Sequence, residues 1–309
     1  MRLFDLHCDT AIRLLSENQG LYDNSFHVSL KKAEYLQSYA QVMAIWISNK
    51  LTDSEGYSVF FAVKNNLEKE FNNDHNKVSL AKDFNTIEQI INSKKVAMIL
   101  AVEDARILEN DLSRLDILHS SGVRILTLNW SGITCIGGAH NTNIGLTDFG
   151  VQVVKKCFDL GIIPDISHCS FEGAKMTLEL AKIANKPIIA SHSDSYKINP
   201  HTRNLKDEDF LDISRLSGLV GINLCPEHLS NKNANIYDVI KHTEHYLSLG
   251  GENTIAMGSD LDGTSLPSGF TDIRDIEKIA NEMQKINYSN ELIDKIMFKN
   301  AYNFFTKNI

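Results

Sequence analysis

FDLHCDT, residues 4–10, is an apolar, strand-like run that ends in His7, Cys8 and Asp9. Successive side chains of a strand point to opposite faces, so Asp5, His7 and Asp9 are expected on one face and Cys8 on the other. An imidazole and a carboxylate two residues apart on one face can grip one divalent metal. A start-of-chain strand with incidental polar residues would read the same way. The weight of the motif therefore depends on what the rest of the chain supplies.

Similar apolar runs recur at 2–8, 40–47, 96–103, 123–129, 162–167, 187–192, 219–224 and 254–259. Most are nearly continuous, as expected of parallel strands buried on both faces. Helix-period segments alternate with them at 108–122, 150–161, 171–184 and 236–251. Thr86 followed by Gln89 fits a capping box, and Gly122, Gly161, Gly218 and Gly251 fit left-handed helix stops before the next strand. Eight βα units predict an α/β fold, a closed (β/α)8 TIM barrel. An open doubly wound sheet is the rival, weakened because no GxGxxG follows the first strand. The reading is a single domain over 1–309, with extra helices around 50–95 and C-terminal helices around 271–305 that cover the barrel.

Composition narrows the class. Hydrophobic residues make up 43% and charged residues 23%, the balance of a soluble globular protein. The net charge of −8, with no basic block interleaved with aromatics, argues against nucleic acid. No apolar run reaches a membrane span, and no signal sequence opens the chain. Five scattered cysteines without a CxxC pair suit a reduced, cytoplasmic setting. A homodimer is the base-rate expectation.

The polar residues fall at strand ends. His7 and Asp9 end the first strand, Glu103 the third, His168 the fifth, His192 the sixth and Asp260 the eighth. The C-terminal strand ends of a barrel converge on one mouth. One histidine alone is more often a satisfied core residue, but the same placement on five strands points to a metal site. The set exceeds one four-coordinate site and suits two divalent ions with a shared carboxylate. Histidine and carboxylate donors without cysteine favour Zn²⁺, Mn²⁺, Fe²⁺ or Co²⁺. Such a site does hydrolysis, with Asp260 the candidate proton shuttle and Asp262 its neighbouring rival. Arg203, on the loop after strand six, suggests a substrate with a free carboxylate.

Taken together, HCD at 7–9, AVEDA around Glu103, DISHCS at 165–170, ASHS at 190–193, HTRNL at 201–205, GINL at 221–224, HTEHYLSLGG at 242–251 and GSDLDG at 258–263 resemble the renal (membrane) dipeptidase family of zinc peptidases, including its soluble bacterial members. That family belongs to the amidohydrolase-type metal barrels. The resemblance implies that His7 and Asp9 hold one Zn²⁺, His168 and His192 the other, and that Glu103 bridges them. It implies that Asp260 shuttles the proton, that Arg203 binds the substrate carboxylate, and that a metal-bridging hydroxide cleaves a small dipeptide, including one with a C-terminal D-residue. Four positions depart from the family pattern. Asp104 and Ala105 replace two glycines after the bridging glutamate, Trp130 stands where mammalian members place a substrate-contacting histidine, and Cys225 replaces an aromatic. The residues alone leave open another small amide, such as an N-acyl amino acid, or a metal-binding barrel without catalysis. The Gly- and Asn-rich stretch 131–150 is expected to form a mobile rim, with His140 exposed on it.

Overall fold

Short β-branched and alanine-rich runs build the strands, and their alternation builds two apolar layers. In the computed structural model, which describes residues 1–308, the strands are β1 (Arg2–Cys8), β2 (Ser38–Trp46), β3 (Val78–Leu80), β4 (Val96–Glu103), β5 (Val123–Thr127), β6 (Ile163–Asp165), β7 (Ile189–Ala190), β8 (Leu219–Ile222) and β9 (Ile255–Met257). All pairings between these strands are parallel. Eight of the strands close a barrel, because β1 pairs with both β2 and β9 while β2 also pairs with β4.

β3 was not expected. It lies against Val96–Met98 of β4, just before β5 takes over that edge at Leu100. A three-residue strand is too short to show a period in sequence. The same interval holds α2 (Asp53–Asn73) and α3 (Phe84–Asn92). Asp83 caps α3, and Thr86 sits inside its first turn as the reciprocal partner, so the capping box lies three residues earlier than expected.

Phe4, Leu6, Ala40, Val42, Ala44, Ile99 and Ile125 fill the barrel interior. Leu3, Cys8, Met43, Ile45, Leu100 and Val102 face the surrounding helices. By strict alternation Asp5 belongs with Leu3 on the outer side. A register shift between Asp5 and Cys8 turns His7 inward, so the expected shared face of Asp5 and His7 is corrected by a bulge. Cys8 does point away from the mouth.

Helices α1 (Thr10–Ser16), α4 (Arg114–Ser120), α5 (Asp148–Leu160), α6 (Phe171–Ala184), α7 (Asp207–Arg215), α8 (Pro226–Leu229), α9 (Ile236–Ser248) and α10 (Ile276–Lys285) follow the strands. Left-handed residues end several of them. Gly161 and Gly122 are such stops, but before β8 and β9 the left-handed residues are Ser217 and Gly250, one position before the expected glycines. The chain ends in α11 (Asn290–Asp294), a π turn over Lys295–Lys299 and α12 (Asn300–Asn308). Phe298 and Phe305 from this segment seat on Phe4, with ring centroids 6.3 and 5.1 Å apart, and plug the end of the barrel opposite the mouth. Each such ring contributes roughly 2–3 kcal/mol by its burial. That leaves the C-terminal strand ends free for chemistry.

Candidate metal centre

Strand ladders stop early at that mouth. β6, β7 and β9 end at Asp165, Ala190 and Met257, and the site residues follow in the turns beyond. Two of them take left-handed backbone, His168 with φ 70° and Asp260 with φ 58°. Such conformations cost a non-glycine residue of order 1 kcal/mol or more and persist where the surroundings fix them. The carbonyl of His168 accepts from His140 N at 2.7 Å, and Asp260 N donates to the carbonyl of His7.

Glu103 stands at the centre, buried, with its two oxygens facing different partners. Its Oε2 lies 3.6 Å from His7 Nε2, and Asp9 Oδ2 lies 3.4 Å from that same nitrogen. Its Oε1 lies 2.9 Å from His168 Nε2 and 3.5 Å from His192 Nε2. Asp260 Oδ1 is 4.0 Å from His7 Nε2. The donor atoms of His7–Asp9–Glu103, of Glu103–His168–His192 and of His7–His192–Asp260 each converge closely enough to hold an ion. All six residues expected at the mouth for metal or proton work are thus brought together.

The electrostatics of this cluster call for a cation. Burial pushes the Glu103 carboxyl far above its usual range, and the neighbouring Asp9 and Asp260 add to that against the pull of His7. Burial also raises Asp260, to about 6. His7 is opposed by burial too, yet the acids around it, Glu103 first, hold its pKa at about 10. His168 and His192 are driven low by burial and by nearby positive groups. Among the described residues, His7 Nε2, Asp9 Oδ1 and His168 Nδ1 are buried with no hydrogen-bond partner. Buried acids and orphaned ring nitrogens are costly unless something answers them. A divalent metal fits these donors. Gly263 keeps the approach open, since a Cβ there would lie 2.1 Å from Asp9 Oδ2 and 2.4 Å from Asp260 Oδ1.

Arg203 is 4% exposed. It sits behind His192, donating to the His192 carbonyl and to Ser193 Oγ, and its Nε has no partner among the described residues. Trp130 packs edge-on against Trp46 at 4.9 Å and lies 6.4 Å from the His168 ring. Both tryptophans, with Ile12, Cys225, His228 and Thr264, line a cavity of about 700 Å³ that reaches Asp9, Glu103, His168 and Asp260. Asp262, the rival shuttle, is fully committed elsewhere. Its buried carboxylate accepts from Thr10 Oγ1, Arg13, His27 N and Val28 N, tying α1 and the 27–28 turn to the end of β9.

The rim over 131–150 is held by isolated bridges that pair Ile133 with Gly138, Gly137 with Leu146 and Ala139 with Cys169. His140 on it is half-buried, with Nδ1 3.1 Å from Thr202 Oγ1 and its ring 6.0 Å from His168. Asp104, in place of the expected glycine, adopts φ 82° and pairs with Arg106, whose guanidinium reaches the carbonyl of Ser131. Sequence reasoning missed Asn223, which donates to Asp260 Oδ2 at 3.2 Å and to the His192 carbonyl. Its place at the end of a barrel strand, in GINL, was the available signal.

Known proteins agree with this architecture. The chain is 29% identical over 254 residues to an uncharacterized dipeptidase of Schizosaccharomyces pombe, a match covering 77% of this chain and 58% of the yeast protein. It superposes on dipeptidase AC, a metallopeptidase of family M19, with TM-score 0.93 and 24% identity, covering 100% of this chain and 98% of that one. A Rhodobacter sphaeroides metallopeptidase, solved with a phosphinate mimic of the dipeptide L-Ala-D-Ala, gives TM-score 0.92 and 24% identity over 100% of this chain and 99% of that one. The profile of the membrane dipeptidase family, peptidase family M19, matches residues 1–307. The chain therefore belongs to the membrane dipeptidase family.

Proposed function

We propose that this chain is a dinuclear metallo-dipeptidase that hydrolyses the peptide bond of small dipeptides. One observation carries the reading: the two oxygens of buried Glu103 face two separate donor groups, His7 with Asp9 and His168 with His192. The donor set, imidazoles and carboxylates without thiolate, suits Zn²⁺. Two such ions would acidify water and polarise a carbonyl oxygen.

The chain's own residues do the rest. Glu103 spans both positions. Asp260 is within reach of that space, anchored through Oδ2 by Asn223, with Oδ1 turned toward His7. It takes a proton from the attacking water and returns it to the departing amine. Arg203, with an unpartnered Nε beside His192, binds the substrate carboxylate. Trp46 and Trp130 give the cavity an apolar wall that excludes water and places the side chains of the substrate. The ligand of the Rhodobacter neighbour supports extending the reading to a C-terminal D-residue. No helix among the described residues is long and apolar enough to cross a membrane. The five thiols, none in a disulfide among the described residues, suit a reducing compartment.

The test is a panel of L-Xaa-L-Xaa and L-Xaa-D-Xaa dipeptides beside N-acyl amino acids, offered to zinc-loaded protein. Turnover of free-amine dipeptides is expected. Turnover of acylated amino acids alone would move the activity to another amide.

A further inference from the structure

His192 carries a hydrogen-bond chain behind it that His168 lacks. Its Nδ1 lies 2.7 Å from Ser191 Oγ, and Ser191 Oγ lies 2.6 Å from Asp165 Oδ2. Asp165 is fully buried at the end of β6. It accepts Ser167 N and Ser191 N on Oδ1, and Thr127 Oγ1 and Ser191 Oγ on Oδ2. Ser191 has one hydroxyl hydrogen to give. Besides Asp165, two acceptors are in range, His192 Nδ1 itself at 2.7 Å and Ser167 Oγ at 3.5 Å, the limit of hydrogen bonding. Asp165, a carboxylate and so the stronger acceptor, takes that hydrogen at 2.6 Å, which leaves Ser191 Oγ to accept from His192 Nδ1. That fixes the proton on Nδ1 and leaves Nε2 with its lone pair, 3.0 Å from His168 Nε2 and 3.5 Å from Glu103 Oε1.

We infer that Asp165 and Ser191 form a carboxylate–hydroxyl relay that sets the tautomer and ring orientation of His192 and so strengthens one of the two metal positions. They are positioning residues, acting through His192. The inference rests on reading Glu103, His168 and His192 as one metal position. The other side of the mouth supplies an internal comparison. Asp5 brackets Ser259 in the same manner, through Ser259 N at 2.8 Å and Ser259 Oγ, but the next residue is Asp260, whose carboxylate has no N–H to offer the hydroxyl. There the bond chain stops at the serine. His168, whose Nδ1 is unpartnered among the described residues, has no relay at all.

The experiment uses full-length protein carrying ¹⁵N-labelled histidine, metal-free and zinc-loaded, with His192 assigned by loss of its signals in His192→Gln. Long-range ¹H–¹⁵N spectra read the tautomer, and chelator competition reads zinc affinity at each position. In wild type, His192 shows Nδ1–H in both forms. In Ser191→Ala that signature is lost and one zinc position weakens by roughly 10–100-fold, the usual effect of removing such a partner. Ser259→Ala removes an equivalent buried hydroxyl and leaves the His192 signature unchanged. An Nε2–H tautomer in wild type overturns the relay. So does a Ser191→Ala protein with unaltered His192 signals or with both zinc affinities intact. If Ser191→Ala does not fold, the wild-type tautomer still decides. If wild type binds no zinc, the dipeptidase reading fails, while the metal-free tautomer judges the relay separately.

Discussion

Asp104→Gly restores the residue type the family places after its bridging glutamate, and the structure predicts that here it destabilises. Two effects compete. Asp104 adopts φ 82°, a region that costs a non-glycine residue about 1–3 kcal/mol, and glycine removes that cost. Against it stands the pair with Arg106, at 3.0 Å, with Asp104 fully buried and Arg106 8% exposed. Asp104 Oδ1 also accepts from Arg106 N. Deleting one partner of a buried pair costs about 3–5 kcal/mol because the other charge is stranded. Glycine adds roughly 0.5–1 kcal/mol through unfolded-chain entropy. The balance is a loss of about 2–3 kcal/mol, read as a lower urea midpoint at unchanged m-value. Asp104→Gly with Arg106→Leu removes strain and stranded charge together and should return to within about 1 kcal/mol of wild type. Because Arg106 also reaches Ser131, the single variant should loosen the rim beside Trp130 and raise KM more than it lowers kcat. A single variant as stable as wild type would show that the strain outweighs the pair, and would refute the reasoning.

Three further outcomes follow from the geometry. Burial, with Glu208 assisting, raises the Asp209 carboxyl to about 7, so the native state holds a proton that the unfolded chain releases near pH 4. Its contribution favours folding at low pH and is lost as pH rises from 4 through 7. Asp209→Asn should therefore gain stability relative to wild type over that window, by up to about 4 kcal/mol at pH 8, in denaturant titrations at several pH values. Asp260→Asn should lower kcat by roughly 10²–10⁴-fold while the protein still binds two zinc ions, read by elemental analysis beside steady-state kinetics. Arg203→Lys keeps the charge but loses the planar fork, and should raise KM for dipeptides about tenfold or more with little change in metal content.

Much of this was readable before any coordinates, for a physical reason. Parallel strands buried on both faces must be apolar, so β1, β4 and their fellows stand out as runs, and a barrel brings their ends to one mouth. His7, Asp9, Glu103, His168, His192 and Asp260 were found that way because each follows an apolar run. What stayed hidden depends on backbone detail or on long-range partners. The bulge that turns His7 inward leaves no mark in composition. β3 is too short to have a period. The left-handed turns at His168 and Asp260 use residue types that tolerate that region but far more often lie outside it, so their presence alone does not announce them. Ser217 and Gly250 take the left-handed positions next to the glycines that sequence favoured. Asp165 and Ser191 are 26 residues apart, and only the pairing of β6 with β7 makes them a unit. Asp262 was the lesser rival to Asp260 in sequence, past the strand end, and the four donors on its carboxylate come from residues distant in the chain.

The central claim is that two ions act together across Glu103, and stepwise reconstitution tests it most directly. Metal-stripped protein is titrated with Zn²⁺ while hydrolysis of an L-Xaa-D-Xaa dipeptide that it turns over is followed. The account predicts little activity after the first equivalent and full activity on the second, with Glu103→Gln unable to reach it. Full activity at one equivalent, or no hydrolysis at any loading, would contradict it.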